Sequence, residues 1–129
     1  MSVGLLLITH NDLGAALLTT ATRMLTTCPV PVATLGVSEN CEPEMLLHQL
    51  KLMLNKLDQG DGVLILTDMY GSTPANIAIN LQQKDRINVV TGINLPMLVR
   101  TLNYTNLKLS ALTERALSGG RDGVISIGH

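Results

Sequence analysis

The stretch LLLITHNDLGAALL, Leu5–Leu18, joins a strand pattern to a helix pattern with one histidine between them. Val3–Ile8 is a short continuous apolar run, which is typical of a strand buried on both faces of a parallel sheet. Beyond His10, Asp12 is placed to cap a helix. The apolar positions of that helix recur at helical spacing: Leu13, Ala16, Leu17, Ala21, Met24 and Leu25. The stretch predicts a strand–helix unit, and it leaves open whether His10 is reactive or only ends the strand.

The same alternation continues along the chain. Further predicted strands cover Val32–Val37, Val63–Leu66, Ile87–Thr91 and, at the end, Val124–Ile127. Further predicted helices begin at Pro43, at Pro74 and near Pro96, and a fifth covers Leu107–Leu117, stopped by Gly119 and Gly120. This order predicts an α/β fold with a doubly wound, mostly parallel sheet, its first four strands ordered 2-1-3-4. Too little chain precedes the last strand to place it in the sheet.

Composition narrows the class of protein. The chain has 129 residues, 46% apolar and 15% charged, which fits one globular domain over residues 1–129. With no Phe or Trp and a net charge of -1, it does not match a nucleic-acid or polybasic membrane surface. No apolar run approaches the ~18 residues of a membrane span, and no signal peptide is recognisable. We therefore expect a cytoplasmic protein in which Cys28 and Cys41 are reduced thiols, and no metal is predicted.

Two polar residues follow the strands on either side of the point where the predicted strand order reverses. His10 follows the first strand and Asp68 follows the third. Ligands bind at such a reversal, and neighbouring strands are ~4.8 Å apart, so the two side chains are expected to meet. A carboxylate on one imidazole nitrogen fixes the tautomer and leaves the other nitrogen nucleophilic. The plainer alternative is a strand-end histidine beside a capping aspartate.

The segment DMYGSTPAN, residues 68–76, favours the reactive interpretation. Gly71 permits a tight turn, and Ser72 or Thr73 can cap a helix that has Pro74 at its first position. The free N–H groups of that helix start favour an anion, and the hydroxyls add donors. With His10 nearby, the pattern indicates phosphoryl chemistry. No phosphate-loop or dinucleotide fingerprint is present, so no cofactor is predicted, and a Ser-His-Asp hydrolase lacks its G-x-S-x-G elbow.

Three blocks then carry a resemblance to a known family: VGLLLITH, GVLILTDMYGSTPAN and VVTGINLPMLVRTL; the segment GGRDGV near the end also fits. The chain resembles the enzyme IIA component of the mannose/fructose/sorbose class of the bacterial sugar phosphotransferase system (PTS). The resemblance implies that His10 is transiently phosphorylated and that Asp68 orients it. It places Thr73 in the phosphate-binding turn, and Asn94, in the GINLP turn, along the rim of the site.

The resemblance also implies partners. Members of the family take phosphate from the phosphocarrier protein HPr and pass it to a histidine of a IIB protein or domain. The last strand typically crosses to a second subunit in a homodimer. No IIB sequence follows in this chain, so the expected acceptor is a separate IIB protein or a regulatory target. Contact with the membrane is expected only indirectly, through a transporter complex.

Two departures from the family pattern put partner choice in doubt. Asn11 stands where the family commonly has Gly, and Gly71–Ser72 stands where it commonly has two glycines. Asn11, Gly71 and the neighbouring Tyr70 are therefore candidate rim residues. Alternative functions are a phosphorylation-state regulator without its own transporter, and the phosphotransfer subunit of dihydroxyacetone kinase. A small-molecule-binding or hydrolytic domain is a further, weaker alternative.

Overall fold

A computed structural model describes residues 2–25 and 30–128 of the chain. The strands are β1 (Gly4–His10), β2 (Val32–Val37), β3 (Val63–Thr67) and β4 (Ile87–Thr91). The helices are α1 (Leu13–Met24), α2 (Pro43–Leu57), α3 (Thr73–Asn80), α4 (Leu95–Asn103) and α5 (Leu109–Asp122). The first four predicted strands and the five predicted helices are thus present, with boundaries shifted by a few residues.

The sheet has the predicted order β2-β1-β3-β4, and all of its pairings are parallel. Ile8 of β1 is opposite Thr67 of β3, and His10 at the end of β1 is opposite Val37 at the end of β2. The carboxyl ends of β1 and β3 are therefore neighbours at the point where the strand order reverses.

Helices cover both faces of the sheet, as the continuous apolar strands require. On one face, Leu5 and Leu7 of β1 pack in a core with residues of α1, α4 and α5. On the other face, Leu6 and Ile8 pack with residues of α2 and α3. Successive side chains of a strand point to opposite faces, so His10, two residues beyond Ile8, is on the side of α2 and α3.

Helix α5 differs from its prediction at both ends. It begins at Leu109 rather than Leu107, and it continues through Gly119 and Gly120 to Asp122. A Cβ atom on Gly119 would lie 2.8 Å from the Cβ of Arg100, and one on Gly120 would lie 2.6 Å from the Cε of Met97. The prediction of a stop at these glycines was wrong because their missing side chains serve the close approach of α4 and α5.

The segment after α5 forms no strand within this single chain. Residues 124–128 have no regular structure. The side chains of Val124, Ile125 and Ile127 are 77%, 74% and 93% exposed. The predicted strand over Val124–Ile127 is therefore absent from the sheet of the single chain, and its exchange with a second subunit stays a prediction.

Three further predictions concern a membrane span, a metal site and the two cysteines. Among the described residues, no helix is long and apolar enough to cross a membrane. The same residues hold no group of His, Cys, Asp and Glu arranged to bind a metal ion. Cys41 is a free thiol, whereas Cys28 lies outside the described residues.

Candidate functional site

His10 and Asp68 form one hydrogen-bonded unit at the ends of β1 and β3. The Nδ1 atom of His10 is 2.7 Å from Oδ2 of Asp68, and the backbone N–H of His10 donates to the same oxygen at 2.9 Å. The other oxygen, Oδ1, accepts from the N–H of Met69 at 3.1 Å. The His10 side chain is 46% exposed and that of Asp68 only 9%. The predicted juxtaposition is present, and an accessible ring rests on a largely buried carboxylate.

The electrostatics of this unit favour an ionised Asp68. Burial, the largest single influence, raises the pKa of its carboxyl, but the hydrogen bonds from the backbone and ring of His10 outweigh burial and bring the pKa below the ordinary 3.8. A carboxylate can only accept hydrogen bonds, so a neutral His10 ring carries its proton on Nδ1. The lone pair is then on Nε2, which has no hydrogen-bond partner within the described residues and can act as a nucleophile.

The turn after His10 has a backbone conformation that suits either glycine or asparagine at residue 11. Asn11 has φ +47, in the left-handed region, which glycine adopts freely and asparagine tolerates better than most residues. Its N–H donates to the carbonyl of Val37 at 3.1 Å, which continues the pairing of β1 with β2. The backbone conformation that glycine would adopt without strain is therefore kept, and an amide side chain is added to the surface beside His10.

The start of α1 is capped by a residue that the sequence did not single out. The predicted cap, Asp12, makes no side-chain capping bond, because its backbone (φ -93, ψ 10) is not extended as a capping residue normally is. Instead the hydroxyl oxygen of Thr9 accepts from the N–H of Gly14 at 2.8 Å. The available signal was a polar residue, Thr9, inside an apolar strand pattern.

The turn between β3 and α3 has the predicted tight geometry. Gly71 has φ +85, with nothing within 4 Å of where a Cβ would be, so its conformation alone requires glycine. Ser72 is the N-cap residue, but its hydroxyl makes no capping bond. It donates to the carbonyl of Met69 at 2.5 Å and braces the turn. Helix α3 begins at Thr73, so Pro74 is its second rather than its first residue.

The start of α3 offers donors for an anion. In residues 2–25 and 30–128, the N–H groups of Thr73 and Ala75 have no hydrogen-bond partner, and neither does the Thr73 hydroxyl. Thr73 is exposed at the helix start, whereas Ala75 is fully buried. Free N–H groups at a helix N-terminus favour a negative charge. Of the two predicted hydroxyl donors, Thr73 is therefore the one still free to bind phosphate.

Two other candidate rim residues have different surroundings. Tyr70, in the turn after Asp68, is 77% exposed. Asn94 is half-buried: its Oδ1 accepts from the N–H of Met97 at 2.9 Å and caps α4, and its Nδ2 donates to the carbonyl of Gly120 at 3.1 Å. One polar atom of the Asn94 amide thus caps α4 and the other links α4 to α5, and a place for Asn94 at the rim stays a prediction.

Comparisons with known proteins agree with this fold. Residues 4–117 match the family described as PTS system fructose IIA component. The mannose-specific EIIAB component of Escherichia coli K12 is 32% identical over 136 residues, covering 96% of this chain and 39% of that protein. The transcriptional regulatory protein LevR of Bacillus subtilis is 30% identical over 116 residues, covering 85% of this chain and 12% of that protein. The chain therefore spans less than half the length of these two relatives.

One solved structure shows how closely the folds agree. The mannose/sorbose specific IIA subunit of Enterococcus faecalis superposes with a TM-score of 0.85 at 21% identity, covering 100% of this chain and 97% of that one. At this level of identity the likeness concerns the fold alone. It extends over the whole sheet and all five helices, and so over the elements that position His10 and Asp68.

Proposed function

The chain belongs to the fructose/mannose enzyme IIA family of the sugar PTS, and on this premise we propose that it carries a phosphoryl group on Nε2 of His10. It accepts the group from phospho-HPr and passes it to a histidine of a separate IIB protein in the cytoplasm, for sugar uptake. The observation that carries the proposal is the 2.7 Å contact between His10 Nδ1 and Asp68. This contact leaves the lone pair on Nε2, in a side chain that is 46% exposed.

The transfer step balances within this geometry. The Nε2 lone pair attacks phosphorus while the bond from phosphorus to the donor's histidine nitrogen breaks, and its electron pair returns to the donor ring. The His10 ring gains positive character, which the ionised Asp68 stabilises while it accepts from Nδ1. The N–H group and hydroxyl of the exposed Thr73, at the start of α3, can bind the phosphoryl oxygens. Transfer to a IIB histidine is the same step with His10 as the leaving group.

The surface around His10 favours a protein as the partner. The neighbouring turns carry large exposed apolar side chains: Leu13 at 45%, Met69 at 60% and Tyr70 at 77% exposure. Exposed apolar groups of this size suit a contact between proteins. The strand-to-helix connections and the first helix turns beyond them, residues 11–16, 38–46, 68–76 and 92–98, carry five acidic residues and neither Lys nor Arg. A partner that is apolar at its centre and basic at its edge would complement this face.

Phosphorylation in vitro tests the proposal. The chain is incubated with phosphoenolpyruvate, enzyme I and HPr, and we expect an acid-labile phosphoprotein. His10→Ala should not be labelled. His48→Ala is the matched control, because His48 is an exposed histidine on α2 without a part in the site, and it should label like the unmodified chain. Labelling of His10→Ala to the normal extent would contradict the assignment.

We further propose that the protein is a homodimer in which residues 124–127 pair with a second copy. The exposed apolar side chains of Val124, Ile125 and Ile127 support this, and so does the place of β4 at an edge of the sheet. An edge strand leaves backbone groups unpaired and can accept a further strand. Light scattering should give twice the chain mass, and removal of residues 124–129 should give a monomer. A monomer at micromolar concentration before the removal would refute the dimer.

The similarity to LevR favours one alternative role. That relative is named a transcriptional regulatory protein, so the phosphorylated state of His10 could be read by a regulatory target rather than spent on transport. Pulldowns with the phosphorylated and unphosphorylated chain distinguish the two roles. Rapid loss of phosphate to a IIB protein favours transport, and a partner retained by only one of the two states favours regulation.

A further inference from the structure

The end of β2 is in unusually close contact with the turn that follows His10. A Cβ atom built on Gly36 would lie 2.1 Å from the carbonyl oxygen of Asn11 and 2.8 Å from its carbonyl carbon. Gly36 does not have a positive φ, so its backbone conformation does not require glycine. The absence of a side chain at Gly36 therefore makes room for the Asn11 carbonyl.

Asn11, whose carbonyl occupies the space beside Gly36, lies in a stretch of backbone that is fixed by several contacts. Asn11 is left-handed (φ +47), and its N–H donates to the carbonyl of Val37 at 3.1 Å. On the opposite side, the N–H of His10 donates to Asp68 at 2.9 Å. The backbone is thus held on both sides of the reactive ring: the peptide before it by the carboxylate that follows β3, and the peptide after it by the end of β2.

We propose that Gly36 is a positioning residue for His10. By letting the Asn11 carbonyl approach β2, it sets the backbone from which the ring reaches Asp68, and so keeps Nε2 as the free nitrogen. Gly36 contacts neither phosphate nor partner in this account, and it acts through Asn11. The effect of Gly36 on phosphoryl transfer rests on the proposed function of His10. Its effect on the orientation and tautomer of the His10 ring does not.

The size of the expected effect follows from the distances. Ordinary Cβ contacts begin at 3.4 Å, so the 2.1 Å contact at Gly36 is more than 1 Å too short for a methyl group. Gly36→Ala must therefore displace the Asn11 carbonyl from β2, and with it the residue next to the reactive ring. A misplacement of about 1 Å in an active site can cost about 100-fold in rate. We expect transfer from phospho-HPr to fall between about tenfold and about 100-fold.

A matched glycine controls for general damage. Gly4 is at the other end of the sheet, at the start of β1, and its Cβ would lie 2.5 Å from the carbonyl oxygen of Leu57. Gly4→Ala thus forces a similar backbone displacement far from the site. We expect it to lower the melting temperature but to keep the transfer rate within about threefold. Equal rate losses in Gly36→Ala and Gly4→Ala, once both are shown to be folded, would overturn the proposal.

NMR of the His10 ring nitrogens gives a readout that does not depend on phosphorylation. The unmodified chain should show one tautomer, protonated at Nδ1, and Gly36→Ala should show a mixture. Asn11 provides a second route if Gly36→Ala does not fold. Asn11→Val disfavours the left-handed conformation and should also give a mixture, whereas Asn11→Gly keeps that conformation and should keep the single tautomer. An unchanged tautomer in Asn11→Val and in any folded Gly36→Ala protein would refute the positioning role, even if His10→Ala abolishes phosphorylation as proposed.

Discussion

Replacing Asp68 with asparagine tests the orienting role of the carboxylate. Oδ2 of Asp68 accepts from both the backbone and the ring of His10, and Oδ1 accepts from Met69. An asparagine side chain has only one oxygen, so its amide nitrogen must face one of these donors. If the nitrogen faces His10, it can only donate to Nδ1, and the ring proton moves to Nε2 and blocks the nucleophile. If it faces Met69, the tautomer survives but the negative charge is lost.

The two orientations bracket the expected loss of rate. A hydrogen bond to a charged group contributes about 1.5–3 kcal/mol and a neutral one about 1 kcal/mol. Since neutral bonds range from about 0.5 to about 1.5 kcal/mol, loss of the charge alone costs about 1–1.5 kcal/mol of transition-state stabilisation, or about 5–13-fold in rate. The wrong tautomer costs far more, about 10⁴-fold in a comparable Asp-to-Asn change in a serine protease. We expect Asp68→Asn to transfer phosphate at least about fivefold more slowly.

The assay is single-turnover transfer from labelled phospho-HPr at a saturating donor concentration, so that docking does not limit the rate. Asp61→Asn is the matched control, because Asp61 is in the loop before β3, at the opposite end of that strand from Asp68. It should leave the rate unchanged. A rate for Asp68→Asn within about threefold of the unmodified chain, with circular dichroism showing an intact fold, would remove Asp68 from the mechanism.

Further predictions concern stability and docking. Thr67→Val should raise the melting temperature by several degrees, because the buried Thr67 hydroxyl has no hydrogen-bond partner within the described residues; Thr101→Val, which loses a bond to the Met97 carbonyl, should not. Burial is the largest single influence on the pKa of Asp58 and raises it, but hydrogen bonds from two backbone N–H groups and the charge of Arg86 together bring this pKa below 3.8. The ionised Asp58 thus stabilises the fold above pH 3.8, and this stabilisation is lost as the pH falls through the folded-state pKa. In Asp58→Asn the free energy of unfolding should therefore fall less steeply with acid than in the unmodified chain. An unchanged slope would refute this role of Asp58. Glu42→Lys should weaken binding of phospho-HPr at low salt and have little effect at high salt, and a salt-independent effect would argue against the acidic face.

The part of the site that sequence predicted follows from strongly patterned elements. The apolar runs of β1 and β3 can only be buried in the middle of a parallel sheet, and the rules for crossovers then make their ends neighbours. This is enough to bring His10 and Asp68 together, since each residue directly follows or ends its strand. The turn at Gly71 was predictable for a similar reason, because a positive φ leaves a local mark in the sequence.

What the sequence could not show depends on contacts between distant segments. Gly119 and Gly120 look like a helix stop, and only the packing of α4 against α5 shows why the helix continues through them. Asp12 has the right residue type for a cap, but its backbone conformation leaves that role to Thr9. The contact of Gly36 with Asn11 joins two residues that are far apart in sequence, and a glycine in a strand can signal a close approach without showing which residue makes it.

In the proposed mechanism, Asp68 holds the His10 ring so that Nε2 receives the phosphate. The most direct measurement is heteronuclear NMR of the phosphorylated chain with labelled ring nitrogens, which identifies the atom bonded to phosphorus. We expect a phosphorus–nitrogen bond at Nε2 of His10, with the Nδ1 proton retained against Asp68. Phosphorus bonded to Nδ1 of His10, or to a residue other than His10, would contradict it.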